Sequence, residues 1–168
     1  MAVKSWSPGD VLTAADMNAW AVPLYAEKTS GFTATSNTTL ANDPHLVLAM
    51  AANAVYIIDM MLWYDGGSLG VSDLKASFTT PASTNWNFHI IAQNGAGNDV
   101  SRLSWQNGST PFIWGTEGTG TPRGVTVKGR IATAGTSGNL QWQFAQNTSS
   151  GTTTTVHSQS YLLLRRVG

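Results

Sequence analysis

Hydrophobic positions along this chain follow one spacing in the first 28 residues and another in the rest. In "WSPGDVLTAADMNAW" (6–20) and just beyond it, Leu12, Met17, Trp20 and Leu24 recur at intervals of three to five residues, close to the period of a helix. Thr13 is placed as an N-cap and Asp16 follows three residues later, a T-x-x-D form of the capping box. Leu12 before the cap and Met17 after it are spaced for a hydrophobic staple. The pattern predicts a short helix over about residues 13–21, ended by Pro23. Two turns of helix are unstable alone in water. The apolar side chains must therefore dock on this chain's own body or on another protein.

From about Gly31 the period becomes two. "LVLAMAANAVYIIDMMLWYDGG" (46–67) reads as a turn at Ala52-Asn53 and then a long strand from Ala54 to Tyr64. Both faces of that strand are apolar: Val55, Ile57, Met61 and Trp63 on one, Tyr56, Ile58, Met60, Leu62 and Tyr64 on the other. An antiparallel strand with one wet face alternates, so this strand is expected to be covered on both sides. One cover is the core and the other a neighbouring subunit, with Tyr56, Ile58, Met60, Leu62 and Tyr64 the candidates for the subunit contact. Later strands alternate more cleanly, through Leu74, Ala76 and Phe78, Trp86, Phe88 and Ile90, Val125, Val127 and Ile131, and Leu140, Trp142 and Phe144. Segments 100–106, 110–115 and 157–167 complete the set, separated by clusters of Gly, Asn, Ser and Thr. About eight such strands predict an all-β fold, an antiparallel β-sandwich or jelly roll preceded by a short N-terminal helix. The expected division is an arm over 1–28 and a β-sandwich domain over 29–168.

Composition narrows the function classes. With 168 residues and 42% hydrophobic content the chain can bury one substantial core. Charged residues make up 11%, against roughly 25% in ordinary soluble domains. Nine basic and nine acidic residues cancel, so no net field attracts nucleic acid or an anionic membrane. A surface rich in Thr, which occurs 21 times, loses little solvation when covered by another subunit. There is no cysteine for a disulfide or a thiolate metal site. No apolar run suggests a signal peptide or approaches the roughly 20 residues of a membrane span, so synthesis in a cytoplasm without secretion by signal peptide is expected.

The residues that carry chemistry are dispersed. His45, His89 and His157 show no metal-ligand or triad spacing. Asp65, Asp73 and Asp99 stand at turns. Asp59 interrupts the apolar strand, and a carboxylate there calls for a partner such as Arg130 or Arg102. No Gly-rich segment has phosphate-loop spacing. No catalytic, cofactor-binding or metal-binding residue is assigned, and no cofactor is expected. Among the seven Trp, Trp86 and Trp142 follow the inward pattern, whereas Trp105 and Trp114 are flanked by loop residues. That pair is the candidate for ligand-binding aromatics, for instance toward a glycan.

The opening motif W-x-x-G-D-V-L-T-A-A-D-M-N-A, from Trp6 to Ala19, resembles a segment that begins many short structural proteins of tailed bacteriophages infecting actinobacteria. Residues 38–66, "DLKASFTTP" and the closing 140–167 are similar to phage virion proteins with a jelly-roll body of the tumour-necrosis-factor/C1q (TNF/C1q-like) type. The resemblance implies a non-enzymatic homotrimer on the virion exterior. It would be attached to capsid or tail proteins through an N-terminal arm whose anchor candidates are Trp6, Leu12, Met17, Trp20 and Leu24. Capsid decoration or a head fibre is the leading role implied. A minor tail or tail-fibre head module that binds host cell-surface glycan or protein is the alternative.

Overall fold

The computed structural model describes residues 7–20, 22–68, 70–93, 99–105 and 111–168; of 19–20 and 99–105 the backbone alone is described. In chain order these hold α1 (Ala14–Trp20), β1 (Leu24–Glu27), β2 (Phe32–Ala34), β3 (Ala41–Met50), β4 (Val55–Asp65), β5 (Leu74–Thr79) and β6 (Asn85–Gln93). Then follow β7 (Asp99–Trp105), β8 (Phe112–Trp114), β9 (Arg123–Ala132), β10 (Gly138–Gln146), β11 (Thr154–Val156) and β12 (Tyr161–Arg166). The fold is all-β, two antiparallel sheets packed as a sandwich with one short N-terminal helix.

The larger sheet runs β1-β12-β4-β9-β6-β7, with β11 on the far end of β4 and β2 beyond it. The smaller runs β3-β10-β5-β8. If β2, β11 and the β6–β7 hairpin are set aside, the remaining eight strands wind as two four-stranded sheets, β1-β12-β4-β9 over β3-β10-β5-β8. That winding is the double Greek key of a jelly roll.

The capping box forms as the sequence predicts. Asp16 N donates to Thr13 Oγ1 at 3.1 Å, and Thr13 N donates back to Asp16 Oδ2 at 3.2 Å. The Ala52-Asn53 turn also forms, with Asn53 in the left-handed region at φ 50°. Three short strands escape the period-two reading: β1, β2 and β11 have only three or four residues each. β1 pairs along its whole length with β12, so the sheeted body starts at Leu24 rather than after residue 28.

The core lies between the sheets. Trp142 and Trp114 stack with centroids 5.5 Å apart, Trp114 stacks on Phe112 at 6.2 Å, and Phe78 meets Trp142 edge-on at 5.1 Å. Tyr56, Ile58, Met60, Leu62 and Tyr64 also point into it, all essentially without solvent exposure. This corrects their assignment as a subunit contact. Cross-strand pairing sets Met60 between Leu162 and Val127, both also buried, so that face is already filled by the chain's own sheets. Its opposite, Val55, Ile57, Asp59, Met61 and Trp63, is the outer face. Asp59 stands there half-exposed beside Lys128, its cross-strand neighbour, at 3.4 Å. Lys128 is thus its partner, in place of the expected Arg130; the side chain of the other candidate, Arg102, lies outside the described residues.

Candidate functional site

Three places stand out once the core is accounted for. One is the outer face of the larger sheet. Register places Leu163, Asp59, Lys128 and His89 in one row across β12, β4, β9 and β6, and Tyr161, Met61, Thr126 and Ile91 in the next. Ile57 and Ile91 remain exposed, and Met61 and Leu163 are half-buried. At one end of the face lies Trp63, 38% exposed, its ring lying over Gly124, where a Cβ would sit 3.5 Å from it. The turn between β11 and β12 closes against this ring. His157 N donates to Trp63 O at 2.8 Å, and Trp63 N donates to Ser160 Oγ at 3.0 Å. His157 Nε2 stands 3.3 Å from Asp65 Oδ2 without hydrogen-bonding to it, and that oxygen accepts from Gly120 N at 2.7 Å. An open groove of about 430 Å³ results, lined by Trp63, Pro122, His157, Ser158 and Gln159. An aromatic face ringed by hydroxyl, amide and imidazole groups is chemically suited to stacking a sugar.

The second place is the N-terminal segment. Leu12 is 53% exposed, Met17 45%, and Val11 and Val22 more than half. The helix touches β12, and a cavity of about 190 Å³ remains beneath it, lined among others by Asn18, Val22, Leu24, Tyr56 and Leu164. Among the described residues, Val11, Leu12, Met17 and Val22 are therefore not covered by the body. Leu24, at 39% exposure, lies in β1 of the body itself. Trp6 and the side chain of Trp20 lie outside the described residues.

The third place was not legible in the sequence. Lys28 Nζ lies 2.5 Å from Asp43 Oδ2, with both side chains wholly out of solvent. A wide bulge in β3 makes this possible. Gln141 of β10 faces Val47 and Gln143 faces Asn42, so the four residues Asp43–Leu46 stand opposite Trp142 alone. Pro44 has no N–H to leave unpaired. Asp43 Oδ1 accepts from His45 N at 2.9 Å and Leu46 N at 3.1 Å, an Asx-type turn that points the carboxylate inward. Gln141 Nε2 fills the gap in the ladder by donating to Asp43 O at 2.8 Å. His45 Nδ1, buried and without a hydrogen-bond partner, is 3.9 Å from Asp43 Oδ1. "DPH" was a weak signal for this, since Asp-Pro favours a turn; nothing local pointed to Lys28.

The aromatic pair expected from the loops does not assemble as such. Trp114 is a core residue, 2% exposed, because β8 pairs with β5 and turns its ring onto Trp142. Trp105 ends β7, and its side chain lies outside the described residues. Among the described residues no three His, Cys, Asp or Glu side chains converge as metal ligands. Tyr25 is a titratable group with a clear shift. Its phenol donates to Glu27 Oε2 at 2.9 Å, and this hydrogen bond, with partial desolvation and the Glu27 charge behind it, raises its pKa above the ordinary tyrosine value.

No family model matches the chain, and no curated protein matches it in sequence. Among solved structures it is weakly similar to that of the infectious bursal disease virus Gt strain. There the identity is 12% and the TM-score 0.25, over 88% of this chain and 38% of that one. It is also weakly similar to the crystal structure of the infectious bursal disease virus VP2 subviral particle. In that case identity is 13% and TM-score 0.20, over 97% of this chain and 43% of that one. The chain spans less than half the length of these structures, and likeness at this level assigns it no role.

Proposed function

We propose that this protein is a non-enzymatic structural component of a tailed-phage virion, a homotrimer held on the particle exterior by its N-terminal segment, with capsid decoration or a head fibre as its role. The supporting observation is the capped helix that leaves Val11, Leu12 and Met17 in solvent beside a fully packed jelly roll. Buried apolar side chains dominate protein–protein contacts, and this segment offers several that its own domain leaves uncovered. The phage-like motif spanning Trp6 to Ala19 coincides with it.

The test is attachment to particles lacking this protein. Full-length chain should bind, and a Leu12→Asp/Met17→Asp double variant should stay folded and lose attachment by at least tenfold. Unchanged attachment of that variant would overturn the anchor.

A second reading rests on the Trp63 groove: a minor tail or fibre-head module gripping host cell-surface glycan. It calls for binding to host cell-wall glycan that Trp63→Ala abolishes while attachment to the particle persists.

A further inference from the structure

The Lys28–Asp43 contact is hard to explain as an ion pair alone. An ammonium carries three N–H donors, and among the described residues the hydrogen-bond partner of Lys28 Nζ is Asp43 Oδ2, with the Phe32 ring 5.8 Å away. Surplus donors held out of water are costly, and a buried charge pair recovers its desolvation cost only when such valences are satisfied. We propose that Lys28 and Asp43 join in an intramolecular amide bond, a covalent staple between the two sheets.

The chemistry balances without any co-reactant. A proton passes from Nζ to Oδ2 within the buried pair, giving a neutral amine and a carboxylic acid. The Nζ lone pair then attacks Cγ, and the carbonyl electrons move onto Oδ1. That oxygen already accepts the N–H groups of His45 and Leu46, which serve as an oxyanion hole. Nζ gives up a second proton to Oδ2, the Cγ–Oδ2 bond breaks, and water leaves. One C–N bond forms, one C–O bond is lost, and nothing is oxidised or reduced. The product amide keeps a single N–H, which removes both charges and the surplus donors together. Holding amine and acid in contact supplies the high effective concentration that the uncatalysed reaction lacks. His45, with its unpartnered Nδ1 facing Oδ1, is a positioning residue that helps to bear the developing charge.

The bond would tie β1, directly after the N-terminal segment, to β3 of the opposite sheet. Its existence does not depend on the virion role. The experiment is mass spectrometry of the folded, full-length chain after denaturation. The expected mass is that of the sequence less one water. Trypsin should fail to cut after Lys28, so that residues 5–75 appear as one internally looped peptide, lighter by one water, that gives backbone fragments outside Lys28–Asp43 and none within it. That localisation separates the bond from a cyclic imide at Asp65-Gly66, which loses the same water. Asp43→Asn should lose one ammonia instead, Asp43→Ala should keep the sequence mass, and His45→Ala should slow the loss measurably. A wild-type chain that keeps the full sequence mass after prolonged warm incubation, or whose missing water maps elsewhere, overturns the proposal. An unchanged rate in His45→Ala overturns the part given to His45.

Discussion

A few side chains have environments that one substitution can read. Tyr25 is solvent-facing, yet its phenol ionises late because ionisation forfeits its hydrogen bond to Glu27 and sets two negative charges side by side. The folded-state pKa lies above the unfolded one. The stabilising contribution is therefore complete below the ordinary tyrosine range and lost as pH rises through the raised value. Tyrosine ring NMR should show Tyr25 titrating above free tyrosine, and Glu27→Ala should return it downward. No movement in that variant would assign the shift elsewhere. Gly129 is the opposite kind of residue, with no chemistry and no room. It occupies an inward position of β9 between Ile58 and Phe88, and an added Cβ would overlap Asn87 O and the Phe88 ring. Gly129→Ala should cost about 3 kcal/mol in urea unfolding, the upper end for overpacking, because the obstruction includes backbone.

At the scale of elements, β1 separates the segment that docks from the body that folds. It pairs with β12 and ends at the residue before Lys28, so cutting the chain on either side of it has different consequences. A chain starting at Pro23 keeps the edge strand and the Lys28–Asp43 pair and should unfold like the full-length protein. A chain starting at Thr29 leaves Asp43 buried without its Lys28 partner and exposes the edge of β12. Losing one partner of a buried pair costs about 3–5 kcal/mol. Lys28→Met, which retains β1, should show most of that loss in urea melts if the pair rather than the strand carries the stability. Equal stability of the two truncated chains would remove this role from β1 and Lys28 alike.

For the whole molecule, the jelly roll spends one face of β4 on its core and leaves Ile57, Met61 and Trp63 on the same outward face as Leu163, Tyr161 and Ile91. Asp59 is already matched by Lys128, and the exposed Arg165 and Arg130 flank Ile57 at the end of the face away from Trp63. If the proposed trimer forms, this is the surface on which copies can meet without unfolding. Light scattering should then give three chains for the wild-type protein and one for Met61→Glu, with unchanged circular dichroism. A monomeric wild type would remove the trimer, and a trimeric Met61→Glu would move the contact to another face.

What the sequence determined by itself was local. The Thr13–Asp16 cap, the Ala52-Asn53 turn and the alternating strands β5, β6, β9 and β10 depend on neighbours within a few residues, where propensity and period speak directly. Even the fold class followed, because many short strands with one apolar face have few ways to bury it. Tertiary structure decided the rest. A strand apolar on both faces does not encode which one turns inward; that came from the register of β4 with β9 and β12. Trp114 looked like a loop aromatic until β5 paired with β8. Strands of three or four residues are too short to show a period, so β1, β2 and β11 exist only through their partners. Lys28 and Asp43 lie fifteen positions apart on opposite sheets, and only the folding of one sheet over the other, with the bulge in β3, brings amine and carboxylate into contact.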